Sequence, residues 1–334
     1  MPGAASDKKQ PMFRPVLGYL QRADEAVARR KASEKDEPQD HPKPSPEPTR
    51  GKPKHKPLAE GAGTASKELR QLDFFTGPYR GLPNVVLRSA LFGCRTKRIT
   101  SPRTVVATWK GAEISYEGIS LNQRDESVWM QLVQYWMWSR PESYRVRFKG
   151  SDMLRDLGWG SAGRKGGLSG TAYGRLRESL SRLRSINLSL SLPKEGRIYT
   201  MVDGMISGLA FAEDPPDIGF TSCVLSKHYV SIYANQLTRV RWETRLKLRS
   251  GLPSWLHRYI LSHTSPHFIS LDKLHALCGA SAERKHFRRP LRKAMDELKA
   301  VGGVVAHYEI RHDTLIVVRP KAGRYKKEAE KKEE

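Results

Sequence analysis

The sequence predicts the same order of elements twice: a helix, a short strand, a short helix, a longer helix and a β-hairpin. Apolar residues at helical spacing predict the helices, alternation predicts the strands, and glycine or proline ends most elements. This order is typical of a winged helix-turn-helix domain, so we predict an α+β protein with two tandem copies. The first copy comprises Asp125–Ser139, Tyr144–Phe148, Asp152–Leu157, Thr171–Ser185 and a hairpin of Asn187–Leu192 with Arg197–Met201. The second comprises Pro253–His263, Phe268–Leu271, Asp272–Cys278, Ala282–Ala300 and a hairpin of Val304–Ile310 with Leu315–Val318.

The ends of the chain differ in composition from the part between them. Residues 1–70 contain ten of the 21 prolines, and the stretch from His41 to Pro48 alternates proline with polar residues. Proline lacks a backbone N–H and restricts the residue before it, so neither a helix nor a central strand is expected there. We predict a disordered, proline-rich basic arm at 1–70, a linker at 71–81, winged-helix domains at 82–218 and 219–320, and a short charged tail at 321–334. The second domain is expected to open with a β-rich stretch, Phe220–Leu225, and a polar helix around Asn235–Leu248.

The positive charge is concentrated in the part predicted to fold. The chain carries 59 Lys and Arg against 35 Asp and Glu, a formal net charge of +24, and residues 71–320 account for +17 of it. A surplus of this size favours a polyanionic partner such as nucleic acid. The sequence has no run of 18 apolar residues and no apolar signal-peptide segment, and its three cysteines are widely spaced. We expect a reduced, cytoplasmic protein without a disulfide framework, metal or cofactor.

Two predicted helices have the amphipathic pattern of a DNA-recognition helix. At about 100° per residue, the apolar stripe of helix 171–185 centres on Leu180 and that of helix 282–300 on Leu291. Both opposite faces are basic, and arginine can pair with guanine while any cation can contact phosphate. One such basic face could belong to an ordinary solvated surface helix. Two such helices favour DNA binding, because each is followed by a hairpin with basic residues at its turn. The candidate DNA-contacting residues on these helices are Arg175, Arg182, Lys285, His286, Arg289, Arg292 and Lys293, and Pro290 is expected to kink or interrupt the second helix.

Further candidate residues lie outside the helices. The glycine-rich loop Gly158–Gly170 lacks the G-x-x-x-x-G-K-[ST] spacing of a phosphate-binding loop and follows a short helix, so we do not predict a nucleotide site. A loop that contacts the DNA backbone and a disordered insertion are both open interpretations of this segment. The candidate DNA-contacting residues here are Arg164 and Lys165 in the loop, Lys194 and Arg197 at the first hairpin turn, and Arg311 beside the second turn.

No residue pattern typical of an enzyme is found in the sequence. The ten histidines are scattered, no His-x-His pair suits a metal-dependent nicking site, and no Gly-x-Ser-x-Gly elbow occurs. His257, His263 and His267 lie close in sequence without a convergent carboxylate and are interpreted as surface residues. We therefore predict no catalytic residue and no metal site. Trp138 lies nearly opposite the apolar residues of its helix, which makes it the tryptophan to consider for base stacking.

Five short motifs occur in order along about 235 residues: Arg88–Phe92, Ile114–Gly118, Asp152–Trp159, Leu180–Leu183 and Leu277–Gly279. With them, the segment from Asn84 to Arg319 resembles the TrfA-type plasmid replication initiators. The resemblance implies tandem winged-helix domains that bind direct repeats (iterons) in double-stranded DNA at a plasmid origin. It further implies opening of an adjacent AT-rich segment, with single-stranded DNA there as a partner, and loading of the host helicase and initiator proteins. Such initiators form a homodimer off DNA and bind iterons as monomers.

A pentapeptide lies just ahead of the first predicted domain. Gln71-Leu72-Asp73-Phe74-Phe75 resembles the Gln-Leu-[Ser/Asp]-Leu-Phe sequence with which bacterial proteins bind the replication sliding clamp, and the TrfA-type initiators carry it at this position. Leu72 and the two phenylalanines can fill an apolar pocket while Gln71 forms a hydrogen bond at its rim. Phe74 departs from the usual leucine. The alternative is that Leu72, Phe74 and Phe75 pack on the first domain.

The combined interpretation is a non-enzymatic initiator of plasmid replication. A winged-helix transcriptional repressor or copy-number regulator would use the same fold but would neither bind the clamp nor open an origin. A nucleic-acid enzyme such as a nickase would need a metal or nucleophile site, for which the sequence offers no residue pattern.

Overall fold

The computed structural model describes residues 78–109, 112–139, 143–160, 168–194, 197–211, 220–234 and 237–320. The predicted arm, the pentapeptide Gln71–Phe75 and the charged tail lie outside the described residues. Helices and strands are mixed throughout these ranges, and none of the helices in them is long and apolar enough to cross a bilayer. In chain order the elements are β1 (Tyr79–Pro83), α1 (Asn84–Leu87), β2 (Phe92–Gly93), β3 (Thr100–Trp109), β4 (Ala112–Ile119), β5 (Leu121–Asn122), α2 (Gln123–Ser139), β6 (Arg145–Lys149), α3 (Gly150–Asp156), α4 (Gly170–Ser185), β7 (Asn187–Lys194) and β8 (Arg197–Asp203). They continue with β9 (Ile206–Phe211), β10 (Phe220–Leu225), α5 (Lys227–Ser231), β11 (Leu237–Arg241), α6 (Trp242–Lys247), α7 (Leu252–Leu261), β12 (His267–Ser270), α8 (Leu271–Cys278), α9 (Arg288–Val301), β13 (His307–Arg311) and β14 (Thr314–Val318).

Helices α2 and α4 lie at the centre of an N-terminal unit, which we define as β2 to β10. Their buried faces include Val128 and Leu132 of α2 and Leu176 and Leu180 of α4, all part of one apolar core. Strand β6, which follows α2, pairs antiparallel with β10, and β10 pairs with β9. Apart from β2–β5 and β7–β8, the unit therefore contains a helix, a strand, two helices and two further strands in this order, and β6, β9 and β10 form a sheet of order β6-β10-β9.

A C-terminal unit, α7 to β14, repeats this arrangement. Its core is formed by α7, α8 and α9, with Trp255, Leu274 and Leu291 almost fully buried. Strand β12 follows α7, and β13 and β14 follow α9, in the sheet order β12-β14-β13. With β2–β5 and the inserted hairpin β7–β8 set aside, the two units thus share one order of elements and one order of strands.

The predicted hairpin 187–201 forms as β7–β8, but it belongs to a different sheet from the one expected. It extends β3 and β4 into a four-stranded sheet of order β3-β4-β7-β8. Leu188 and Leu190 lie opposite Tyr116 and Ile114 of β4, and all four side chains are buried, which explains why the hairpin pairs there. The hairpin that completes the sheet of β6 is β9–β10.

The structure differs from the sequence prediction in two places between β9 and α6. The division at 218/219 would separate β9 from β10, although these strands pair from Thr221–Phe211 to Leu225–Ile206. The apolar core around α2 and α4 includes residues from Leu82 to Trp242, beyond both ends of the N-terminal unit, and the core around α7, α8 and α9 begins at Leu248, just before α7. The single helix expected around Asn235–Leu248 is strand β11 followed by the short helix α6, because β11 pairs with β1 and buries Val240.

Buried ion pairs join the two units. Glu126, in the first turn of α2, is fully buried and lies 3.0 Å from Nη2 of Arg245 and 2.9 Å from Nε of Arg258 on α7. Arg258 also donates hydrogen bonds to the carbonyl oxygens of Leu87, at 2.6 Å, and Phe92, at 2.9 Å. Arg258 lies in the C-terminal unit, whereas Leu87 ends α1 and Phe92 begins β2. These contacts therefore help to hold the two units together.

Candidate nucleic-acid interface

Helix α9 presents an apolar face inward and a basic face outward. Leu291, Ala294, Met295 and Leu298 are buried, as the periodicity predicts. A 3₁₀ turn, Arg284–His286, precedes the helix, which begins only at Arg288. Pro290 therefore occupies the first turn, where backbone N–H groups have no intrahelical acceptor, and the segment predicted as one helix is interrupted just before this turn, which is one of the two expected outcomes.

The outward face of α9 is a cluster of solvated cations. Within the described residues, no ion pair involves Arg289, Arg292 or Lys293, whereas Lys285 pairs with Glu283 at 2.7 Å. Such cations can contact phosphate or base edges without first breaking an internal ion pair. We call this set the α9 basic face: it consists of the exposed residues Lys285, His286, Arg288, Arg289, Arg292 and Lys293.

The hairpin β13–β14 is held beside this face. Its turn places His312 and Asp313 at φ of 43° and 63°, the left-handed conformation that two-residue hairpin turns require. Arg284 pairs with Asp313 of the turn and, at 2.5 Å, with Asp272 of α8. At the far end, the Tyr308 hydroxyl donates to Asp296 of α9 at 2.5 Å, and burial together with this bond raises the pKa of Tyr308 to about 12. The candidate Arg311 is exposed but pairs with Glu309 of its own strand at 2.9 Å.

Helix α4 presents a less basic surface than α9. Ser169 caps the helix by accepting a hydrogen bond from the Ala172 N–H at 3.2 Å. Arg175 is exposed as expected, and a Cβ atom added at Gly170 or Gly174 would meet no atom of the described ranges within 4 Å.

Arg182 does not fit its expected role. Its side chain is only 16% exposed, and Nη2 lies 3.1 Å from Oδ1 of the fully buried Asp125. Asp125 also accepts from Ser179 at 2.6 Å and pairs with Arg98 at 2.5 Å. The guanidinium of Arg182 therefore ties α4 to α2, and we leave it out of the proposed DNA surface.

The other candidates are only partly described. Arg164 and Lys165 lie outside the described residues. Lys194 and Arg197 are opposite each other in register at the ends of β7 and β8. They are therefore placed in the four-stranded sheet and not in the sheet of β6.

Strand β6 carries a basic surface that the sequence interpretation missed. Arg145, Arg147 and Lys149 are exposed and alternate with buried Val146 and Phe148. The cations of Arg147 and Lys149 lie 5.3 and 5.6 Å from the ring centroid of the exposed Phe220 on β10. The signal was present as Arg-x-Arg-x-Lys at strand spacing, which places all three cations on one face.

The residues considered for metal binding, base stacking or catalysis can be located in the structure. In the ranges that the structure describes, no three His, Cys, Asp or Glu side chains are grouped to hold a metal ion. Trp138 is 52% exposed, as its helix position predicts, and Arg80 lies 5.4 Å from its ring. His257, interpreted from sequence as a surface residue, is buried, and burial lowers its pKa to about 3 with a further contribution from Arg245.

We expect the buried histidine to make the fold less stable in acid. The pKa of His257 is about 3 in the native state and about 6.5 in an unfolded chain, so between these values the unfolded state binds the extra proton. The free energy of unfolding should fall by up to about 1.4 kcal/mol per pH unit from this group as pH decreases from 6.5. His263, whose pKa burial lowers to about 4, acts in the same direction.

Urea unfolding between pH 7 and 4.5 measures this effect. The substitution His257→Leu should reduce the pH dependence of the free energy of unfolding. The variant His307→Leu, at an exposed position on β13, is the control for replacing a surface histidine by leucine. The same change of unfolding free energy with pH in the wild type and in His257→Leu would contradict the lowered pKa of His257.

The chain is similar to several known proteins. A family model described as TrfA protein matches residues 64–319. The plasmid replication initiator protein TrfA of Escherichia coli is 25% identical over 260 residues, which cover 75% of this chain and 65% of that protein. The aligned chain thus spans just under two thirds of its relative. Two crystal structures of domains 2 and 3 of RctB align with a TM-score of 0.47: one at 14% identity, covering 68% of this chain and 94% of that one, the other at 13%, covering 71% and 97%.

Proposed function

Because the chain belongs to the TrfA protein family, we propose that it initiates plasmid replication by binding iteron repeats in double-stranded DNA at the origin. The observation that carries this proposal is the α9 basic face, whose Arg289, Arg292 and Lys293 are exposed and outside the internal ion pairs of the described residues. We assign the protein no catalytic step: it acts by binding DNA and assembling other proteins.

We propose that each unit is a winged helix-turn-helix domain. The shared strand order, β6-β10-β9 and β12-β14-β13, supports this assignment. The recognition helices are then α4 and α9, and the wings are β9–β10 and β13–β14. They enter successive major grooves roughly one 10-bp turn apart on one repeat.

Binding of several copies then strains the neighbouring AT-rich DNA. Flexible pyrimidine–purine steps cost least to distort, so the origin opens there and exposes single-stranded DNA. The host sliding clamp and the host helicase and initiator proteins are the partners recruited to that site. We propose a homodimer off DNA, monomers on iterons, and a cytoplasmic location beside the plasmid.

A maintenance assay tests initiation itself. A plasmid that carries the cognate origin but lacks this gene should be maintained only when the full chain is supplied in trans. The variant Arg289→Ala/Arg292→Ala should abolish maintenance, while Lys299→Ala, at an exposed cation in the last turn of α9, should not. Loss of the plasmid despite normal binding to the repeats would identify a repressor instead.

The pentapeptide predicts a measurable interaction with the clamp. In the full chain, Gln71→Ala/Phe75→Ala should weaken binding to the purified host clamp by tenfold or more, because an anchoring aromatic residue and its rim hydrogen bond are removed. The control is Leu69→Ala, an apolar residue just outside the motif. Equal clamp binding by the wild type and the double variant in a surface-immobilised clamp assay would remove the clamp from the proposed partners.

A further inference from the structure

Two cysteines from different units lie side by side. Cys94 follows β2 in the N-terminal unit, and Cys278 is the last residue of α8 in the C-terminal unit. The Cys94 N–H donates to the Cys278 carbonyl oxygen at 2.8 Å. With standard backbone dimensions this bond limits the Cα–Cα distance to about 6.7 Å. That distance falls within the range of about 4.4–6.8 Å that disulfides span.

The two side chains also lie close enough to interact. Each thiol shifts the pKa of the other, and the Cys278 thiol lies 3.4 Å from the His275 carbonyl oxygen. Arg95 holds the two segments together by donating to the Gly279 carbonyl oxygen at 2.6 Å. The two segments are therefore already close enough for a disulfide between Cys94 and Cys278.

The two thiols differ in exposure and in the direction in which their pKa values are shifted. The neighbouring Cys278 thiol lowers the pKa of the Cys94 thiol, and the charges of Arg95 and Arg258 lower it further. The pKa of Cys278 is raised by the neighbouring Cys94 thiol and by burial. Cys94 is also partly exposed, whereas Cys278 is buried. Low pKa, access to solvent and a neighbouring thiol are the properties of oxidation-sensitive cysteines.

We propose that Cys94 is a thiol-oxidation site with hydrogen peroxide as the oxidant and Cys278 as its resolving cysteine. The Cys94 thiolate attacks one peroxide oxygen, the O–O bond breaks, and hydroxide leaves, so that Cys94 becomes a sulfenic acid. The Cys278 sulfur then attacks the Cys94 sulfur and the S–O bond breaks. The thiol proton and the hydroxyl leave as water, with one disulfide formed per peroxide reduced.

The product is a covalent link between the units. It joins the segment after β2 to the end of α8, the helix immediately before the basic 3₁₀ turn and α9. Because the crosslink closes a long stretch of chain, it limits the unfolded ensemble and raises the urea midpoint. The relative position of the two units would then be held by a bond as well as by the ion pairs of Glu126.

Cys223 provides a matched control within the chain. It is buried on β10, and burial raises the pKa of its thiol to about 12. It should therefore react with peroxide far more slowly than Cys94. Trypsin separates the partners for analysis: Cys94 lies between Arg88 and Arg95, and Cys278 between Lys273 and Arg284.

The test is peroxide treatment of the full reduced chain, followed by alkylation and mass spectrometry of non-reduced tryptic peptides. We expect a Cys94–Cys278 linked peptide, a higher urea midpoint that reductant reverses, and no change in either result in Cys223→Ser. In Cys278→Ser, a sulfenic acid should accumulate at Cys94 and be trapped by dimedone. Oxidation spread evenly over the three cysteines, disulfide-linked dimers through Cys94, or no oxidation by a peroxide excess would each overturn the proposal.

Discussion

Replacing Glu126 by glutamine is expected to lower the free energy of unfolding by about 3–5 kcal/mol, the cost of breaking a buried ion pair. Glutamine keeps the size of the side chain but leaves the guanidiniums of Arg245 and Arg258 without their buried counter-charge. Both arginines are almost inaccessible to water, so solvent cannot replace the carboxylate. Urea unfolding followed by tryptophan fluorescence measures the change.

The control for this prediction is an ion pair at the surface. Glu243 pairs with Lys247 at 2.5 Å, but both side chains are more than half exposed. Glu243→Gln should leave the urea midpoint unchanged, since water screens such pairs. A Glu126→Gln midpoint equal to that of the wild type would contradict the proposed role of Glu126 in joining the two units.

Removing cations from the α9 basic face is expected to have the largest effect on DNA binding. Arg289→Ala/Arg292→Ala should weaken binding to the repeat by about a hundredfold, since a base-reading arginine contributes about 1–3 kcal/mol and a phosphate contact adds to this. Both side chains are exposed, so the urea midpoint should not change. Lys299→Ala removes one charge from the same helix and should have little effect on affinity.

Single substitutions can separate the two kinds of contact. If Arg289 reads a base, Arg289→Ala should relax the preference at one base pair of the repeat. If Arg289 contacts phosphate, the affinity for all sequences should fall by the same factor. The slope of log affinity against log salt concentration should then decrease in magnitude by about 1. Unchanged affinity in Arg289→Ala/Arg292→Ala would contradict the assignment of α9 as a recognition helix.

Periodicity predicted the internal packing of the helices well. The stripe of Leu291, Ala294, Met295 and Leu298 is buried in full, because an amphipathic helix has one way to place its apolar side against a core. The start of α9 was predicted too early. The 3₁₀ turn and the helix form one continuous pattern in the sequence, and only the backbone shows that Pro290 lies in the first turn.

Contacts between distant segments could not be predicted in this way. Arg182 points away from the apolar stripe of α4, as its position predicts, but Asp125 of α2 covers that side of the helix. The hairpin β7–β8 was recognised, yet its sheet depends on Ile114 and Tyr116 of β4, far away in sequence. Periodicity predicts which face of one helix or strand is apolar. The segment that packs against that element depends on residues far away in the sequence.

The most direct test of the central claim is the binding of the full chain to fluorescent duplexes of the repeats from the cognate origin. Scrambled duplexes serve as competitor, and the salt concentration is varied. We expect binding to the repeats to be about a thousandfold tighter than to scrambled DNA, with affinity that falls steeply as salt rises. Equal affinity for the two duplexes would show that the positive charge attracts DNA without reading it, and would contradict the proposal that the protein recognises an origin.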